Sequence, residues 1–114
     1  MNIVSNSDLT ININVKQSDG VTAYDLTGAS IRVAVYQMKE NVLQYFEDGE
    51  VTRVSAANGQ IRVFMDRANV AQADENKKLF AEVELTVTDI NFSGSTGILK
   101  VNDIELGTIT NSVF

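Results

Sequence analysis

Apolar and polar side chains alternate one for one between Leu79 and Thr88. Leu79, Ala81, Val83, Leu85 and Val87 fall on one side; Phe80, Glu82, Glu84, Thr86 and Thr88 fall on the other. A strand turns successive side chains to opposite faces, so this spacing predicts a strand with one face in a core and one in water. The same period recurs over Leu9–Val15 and Ile31–Tyr36, with Ile31, Val33 and Val35 inward and Arg32, Ala34 and Tyr36 outward. Shorter runs at Val21–Leu26, Val51–Ser55, Ile61–Met65, Ile98–Val101 and Ile104–Ile109 predict further strands.

Between these runs stand Asp19-Gly20, Asp48-Gly49, Asn58-Gly59 and the cluster Ser93-Gly94-Ser95-Thr96-Gly97. Asn, Asp and Gly tolerate positive φ, which marks each as a turn. Asn58-Gly59 predicts a hairpin joining Val51–Ser55 to Ile61–Met65 through a loop longer than two residues. Gln37–Phe46 fits two periods: Met38, Val42, Tyr45 and Phe46 recur at helical spacing, while Leu43 and Tyr45 alternate, and a strand is expected. Asp66–Lys78 is polar, rich in Ala and short of β-branched residues. It predicts one or two helical turns crossing between sheets, with Asp66 capping a helix that starts at Arg67. About seven to eight short strands and one helical crossover predict an all-β fold, an immunoglobulin-like antiparallel β-sandwich. "Immunoglobulin-like" describes architecture alone, since there is no Trp and no Cys pair. An open barrel is the other architecture this strand count allows.

With 114 residues the chain is expected to form a single domain spanning 1–114, a size that buries roughly two-thirds of its unfolded surface. A hydrophobic share of 44% and a charged share of 21% fit a globular protein. No run approaches the roughly 18 apolar residues of a membrane span. Met1–Ser5 has neither a basic nor an apolar leader character, so synthesis in a cytoplasm without a secretory signal is expected. The absence of Cys and His removes disulfides, zinc fingers, Cys–His pairs and Ser–His–Asp triads. No enzyme activity and no cofactor are expected. A net charge of −6 and a pI near 4.4 repel phosphate backbones, so nucleic-acid binding is not expected.

The remaining candidates are side-chain groupings. Asp48, Glu50, Asp66, Asp74 and Glu75 are oxygen donors in or beside loops, but they lack the spacing of a calcium loop and read as solvated carboxylates, so no metal is expected. Glu82 and Glu84 share one strand face and invite comparison with a glycosidase pair. Cross-strand pairing with Arg32, Arg53 or Arg62 explains them more simply, at a few tenths of a kcal/mol per pair. Tyr24, Tyr36, Tyr45 and Phe92 are possible sugar-stacking rings. The apolar start (Met1, Ile3, Val4) and the apolar end Val113-Phe114 either fray or dock into a neighbouring subunit. Ile3, Phe92, Val113 and Phe114 are the partner-binding candidates.

Tyr24-Asp25-Leu26-Thr27-Gly28-Ala29, followed by the alternating Ser30–Val35, resembles the "DLTGA" entry of the N-terminal domains of phage upper baseplate proteins (BppU-type). Ala57-Asn58-Gly59-Gln60-Ile61-Arg62-Val63 is similar to that family's turn glycine and following strand. The crossover at Asp66–Asn76 and the strand Leu79–Val87, similar to its "Y-x-A-E-F" strand, come in the same order. The likeness covers roughly Asp8 to Asp89. This chain has no proline and carries Lys78-Leu79 where that family has a Gly-aromatic pair. The resemblance implies a virion structural protein, a non-enzymatic sandwich that attaches or builds a tail, baseplate or head-fibre appendage. Its expected partners are other virion proteins and copies of itself, with no membrane partner. A carbohydrate- or receptor-binding sandwich is the alternative.

Overall fold

The computed structural model describes residues 1–114. Strands run at β1 (Asn2–Val4), β2 (Leu9–Asn14), β3 (Ser30–Met38), β4 (Asn41–Phe46), β5 (Thr52–Ser55) and β6 (Gln60–Met65). A single helical turn, α1 (Arg67–Val70), leads to β7 (Lys78–Thr88) and β8 (Thr96–Thr110). The strands form two sheets, one in the order β1-β8-β7-β3-β4 and one in the order β2-β6-β5. The protein is an all-β sandwich, and α1 is the crossover between the sheets.

Alternation decides which residues meet between the sheets. Ile31, Val33 and Val35 of β3 and Leu79, Ala81, Val83 and Leu85 of β7 are all buried on the larger sheet's inner face. Ile11 and Ile13 of β2 and Ile61, Val63 and Met65 of β6 come from the smaller one. Phe46, Leu26, Val51 and Val70 close the ends of the same cluster. Each large side chain fully removed from water contributes roughly 1.5–3 kcal/mol, so this layer holds the two sheets face to face. No buried side-chain N or O lacks a hydrogen-bond partner.

Several expectations are corrected. Val21–Leu26 is not a strand; the segment carries one isolated bridge, Lys16 to Ala23. Side-chain acceptors replace the ladder there. The Asp19 carboxylate takes the N–H groups of Val21 (2.9 Å) and Thr22 (2.8 Å), while Leu26 enters the core and donates its N–H to Ala56 O at 2.8 Å. Ile98–Val101 and Ile104–Ile109 are one strand, β8, with one extra residue opposite β7 between Val101 and Ile104 and another between Glu105 and Gly107. Asp103, at φ 55°, absorbs the first bulge without ending the strand. Gln37–Phe46 is extended as expected, but it is divided between β3 and β4 by a hairpin, with Met38 paired to Asn41 across Lys39-Glu40. Asp66 does precede α1, but the Arg67 N–H is taken by the Asp8 carboxylate at 2.8 Å.

The sheets are antiparallel except at one edge, where β1 lies parallel to β8, with Asn2 opposite Thr108 and Val4 opposite Thr110. Thr108 N–H donates to Met1 O at 2.9 Å, and Ser5 N–H to Thr110 O at 2.8 Å. This places Ile3, 2% exposed, inside the chain's own core. No helix is long and apolar enough to cross a membrane.

Candidate functional site

Register builds a shallow groove on the outer face of the larger sheet. Ala34 of β3 pairs with Tyr45 of β4 on one side and with Glu82 of β7 on the other. A methyl group between a ring and a carboxylate leaves a floor between two walls. Two hollows of about 160 and about 70 Å³ lie over it, and both are lined by Ala34, Tyr45 and Glu82. Tyr36, Lys39 and Val42 close one end; Arg32 and Glu84 close the other.

The charges around this groove are paired off, with one exception. Arg32 binds Glu47 at 2.9 Å and approaches Glu84 at 3.6 Å. Lys100 approaches Glu84 from β8 at 3.8 Å, and Lys39 lies 3.4 Å from Asp103. The Glu47 carboxylate beside Arg32 holds its guanidinium pKa above the ordinary value. Glu82 is half-buried and has neither an ion pair nor a hydrogen bond. The cross-strand pairing expected for Glu84 and Arg32 is present. Arg53 instead binds Asp48 and the Ala29 carbonyl oxygen (3.0 Å), and Arg62 binds Asn12 at 2.7 Å.

Tyr36 is a wall of the groove and not a stacking platform, being 3% exposed. Its ring stacks on Phe80 with centroids 6.1 Å apart. Its hydroxyl donates to Asp103 Oδ1 at 2.8 Å and accepts the Asp103 N–H at 3.0 Å. Burial, and then the neighbouring Asp103 carboxylate, push the Tyr36 pKa up to about 12, while the bond from Tyr36 lowers that of Asp103. Such a phenol stays protonated and locks a bulge. Tyr45, 59% exposed, is the ring a ligand can reach.

The loop carboxylates do not converge. Asp48 accepts from Ile31 N–H (2.7 Å) and Arg53, Glu50 from Glu47 N–H (3.0 Å), Glu75 faces Ser5, and Asp74 pairs with Lys77 at 3.4 Å. The first two build a turn between β4 and β5; Arg53 and the Ile31 amide hold the Asp48 carboxyl below its usual range.

A second surface lies at the sandwich's open side. β8 pairs with β1 over Thr108–Thr110, so its edge from Thr96 to Gly107 has no strand beside it. Leu99, Val101, Ile104 and Leu106 on this stretch are partly covered by the core. Ile104 and Leu106 line a slot of about 340 Å³ against Met1, Ile11 and Ile13. The four partner-binding candidates do not form one surface. Ile3 is internal, Phe92 sits in the loop before β8, and Val113 and Phe114 lie fully exposed beyond its far end. No local pattern in the sequence marks Ala34, Lys39 and Asp103 as site residues, because their meeting depends on long-range register. No protein-family model matches the chain, and no curated protein matches it.

Proposed function

We propose that this chain is a non-enzymatic assembly module of a tailed-phage particle, a subunit that builds or attaches a tail, baseplate or head-fibre appendage. The motif order from Tyr24 to Val87 supports the phage reading. The observation that carries the assembly reading is the unpaired β8 edge from Thr96 to Gly107. Apart from the Asp103 N–H, which the Tyr36 hydroxyl accepts, this edge has no neighbouring strand to pair with, and such an edge beside apolar side chains is a template for strand addition by another chain. Ile90, Phe92 and Ile98 leave further apolar surface exposed near the start of the same edge. Partners on this reading are copies of the same chain and other virion proteins, and its location is the virion.

Light scattering across a concentration series, with antibody labelling of purified particles, tests this reading. A discrete oligomer that Ile98→Lys dissociates, together with labelled appendages, is the expected result. A monomer at every concentration, absent from particles, removes the proposal. The alternative, a carbohydrate- or receptor-binding module, is favoured by one observation: the exposed Tyr45 ring on the outer face of the larger sheet. Saturable glycan binding abolished by Tyr45→Ala would favour it.

A further inference from the structure

We infer that the groove over Ala34 receives a basic side chain, an arginine above all, presented by a partner protein. This goes beyond the assembly proposal and does not depend on the partner being viral or on the β8 edge. It rests on charge complementarity and shape at one rung of the sheet.

Three cations, Arg32, Lys39 and Lys100, stand around the groove with four carboxylates, Glu47, Glu82, Glu84 and Asp103. Pairing them leaves one surplus negative charge, and geometry assigns it to Glu82. Lys39 lines the same hollow, but its ammonium lies 3.4 Å from Asp103, whose amide and carboxylate are already tied to Tyr36. Moving Lys39 to Glu82 would strip Asp103 of its cation and gain nothing net. The unpaired Glu82 carboxylate is complementary to one positive group from outside.

The walls choose among cations. Tyr45 stands across Ala34 from the carboxylate, so an occupant meets an aromatic ring and an anionic side chain together. A guanidinium is planar, stacks on aromatic rings and donates in a fork that matches a carboxylate. An ammonium meets the charge but brings no planar group to the ring. An anion is repelled by Glu82. A neutral sugar that covered the groove would dehydrate Glu82 without supplying a counter-charge, which is unfavourable. The hollows are shallow, which suits one side chain carried in by a larger surface and not an enclosed small molecule.

The test follows groove amides by ¹H–¹⁵N NMR in the intact protein at fixed ionic strength. Acetyl-Gly-Arg-Gly-amide is titrated in parallel with the same peptide carrying citrulline, which keeps the shape and loses the charge, and with a neutral hexose. Saturable shifts at Ala34, Tyr45 and Glu82 are expected with the arginine peptide and not with citrulline. Glu82→Gln should weaken binding about fivefold and Tyr45→Ala about threefold. Gln keeps the size of Glu82, and an unchanged circular dichroism spectrum establishes that the variant folds. Equal shifts with citrulline, an unaltered Glu82→Gln titration, or saturation by the hexose alone would each overturn the inference.

Discussion

An ideal Cβ at Gly59 would lie 2.6 Å from the carbonyl oxygen of Val15 and 2.8 Å from that of Tyr24. The backbone there is left-handed, at φ 69°. Gly59→Ala therefore meets two backbone atoms that have no side-chain freedom to yield, besides the left-handed strain itself. Urea denaturation should show a loss of about 2–4 kcal/mol; a loss below about 0.5 kcal/mol would mean that the Val15 and Tyr24 carbonyls move aside easily. Asp19 gives the residue scale its acid response. Its carboxylate accepts from the Thr22 hydroxyl and from the Val21 and Thr22 amides, which bring its pKa down to about 2. A pKa lowered in the folded state stabilises the fold above the unfolded value of 3.8 and loses that contribution as pH falls through about 2. Asp25, Asp48, Asp103 and Glu105 are shifted in the same direction. The thermal midpoint should fall as pH drops from about 5 to about 2, and a carboxyl-resolved NMR titration should place Asp19 lowest in that window. An Asp19 midpoint at the ordinary carboxyl value would remove its turn as the cause.

At the scale of elements, β8 shows how one residue can keep a strand continuous. Asp103 stands in a left-handed conformation, and the Tyr36 hydroxyl both donates to its carboxylate and accepts its amide. Tyr36→Phe leaves the ring stacked on Phe80 but unties the bulge. A cost of about 1 kcal/mol is expected, with faster hydrogen exchange at the Asp103 amide; unchanged exchange would show that the bulge holds itself. Because the Tyr36 pKa is raised from 10.0 to about 12, its contribution is full below pH 10.0 and is lost as pH rises through about 12. The same strand shows where sequence reading stops. Period-two alternation made β2, β3, β6 and β7 legible, since each has one face in the core. In β8, Asn102-Asp103 has the composition of a turn, and two bulges reset the alternation, so one strand reads as two. Lys39-Glu40 makes a hairpin turn without positive φ at either residue, so it lacks the Asn or Gly that a primed turn would show. The Arg32–Glu84 contact followed from charge and outward facing. The groove did not, because Tyr45, Ala34 and Glu82 are brought to one rung by pairings that no local pattern encodes.

The whole molecule is closed by its first few residues. β1 is three residues long, yet Ile3 fills core space beside Gly107, whose absent side chain would lie 2.5 Å from Met1 O. Ile3→Ala should cost about 2–4 kcal/mol through lost burial and a cavity, and calorimetry should show the loss in a single transition. A separate early transition for β1 would mean that it is a loosely attached arm. The parallel setting of β1 on β8 also determines how the protein answers tension. A pull on Met1 and Phe114 drags the two strands past each other along their length, so the bonds at Met1, Thr108, Ser5 and Thr110 are strained together instead of peeling one by one. The sandwich thus carries a shear clamp across its own ends. In a force spectrometer, a chain lacking residues 1–4 should rupture at lower load than the full chain; rupture at equal load would show that the clamp bears none.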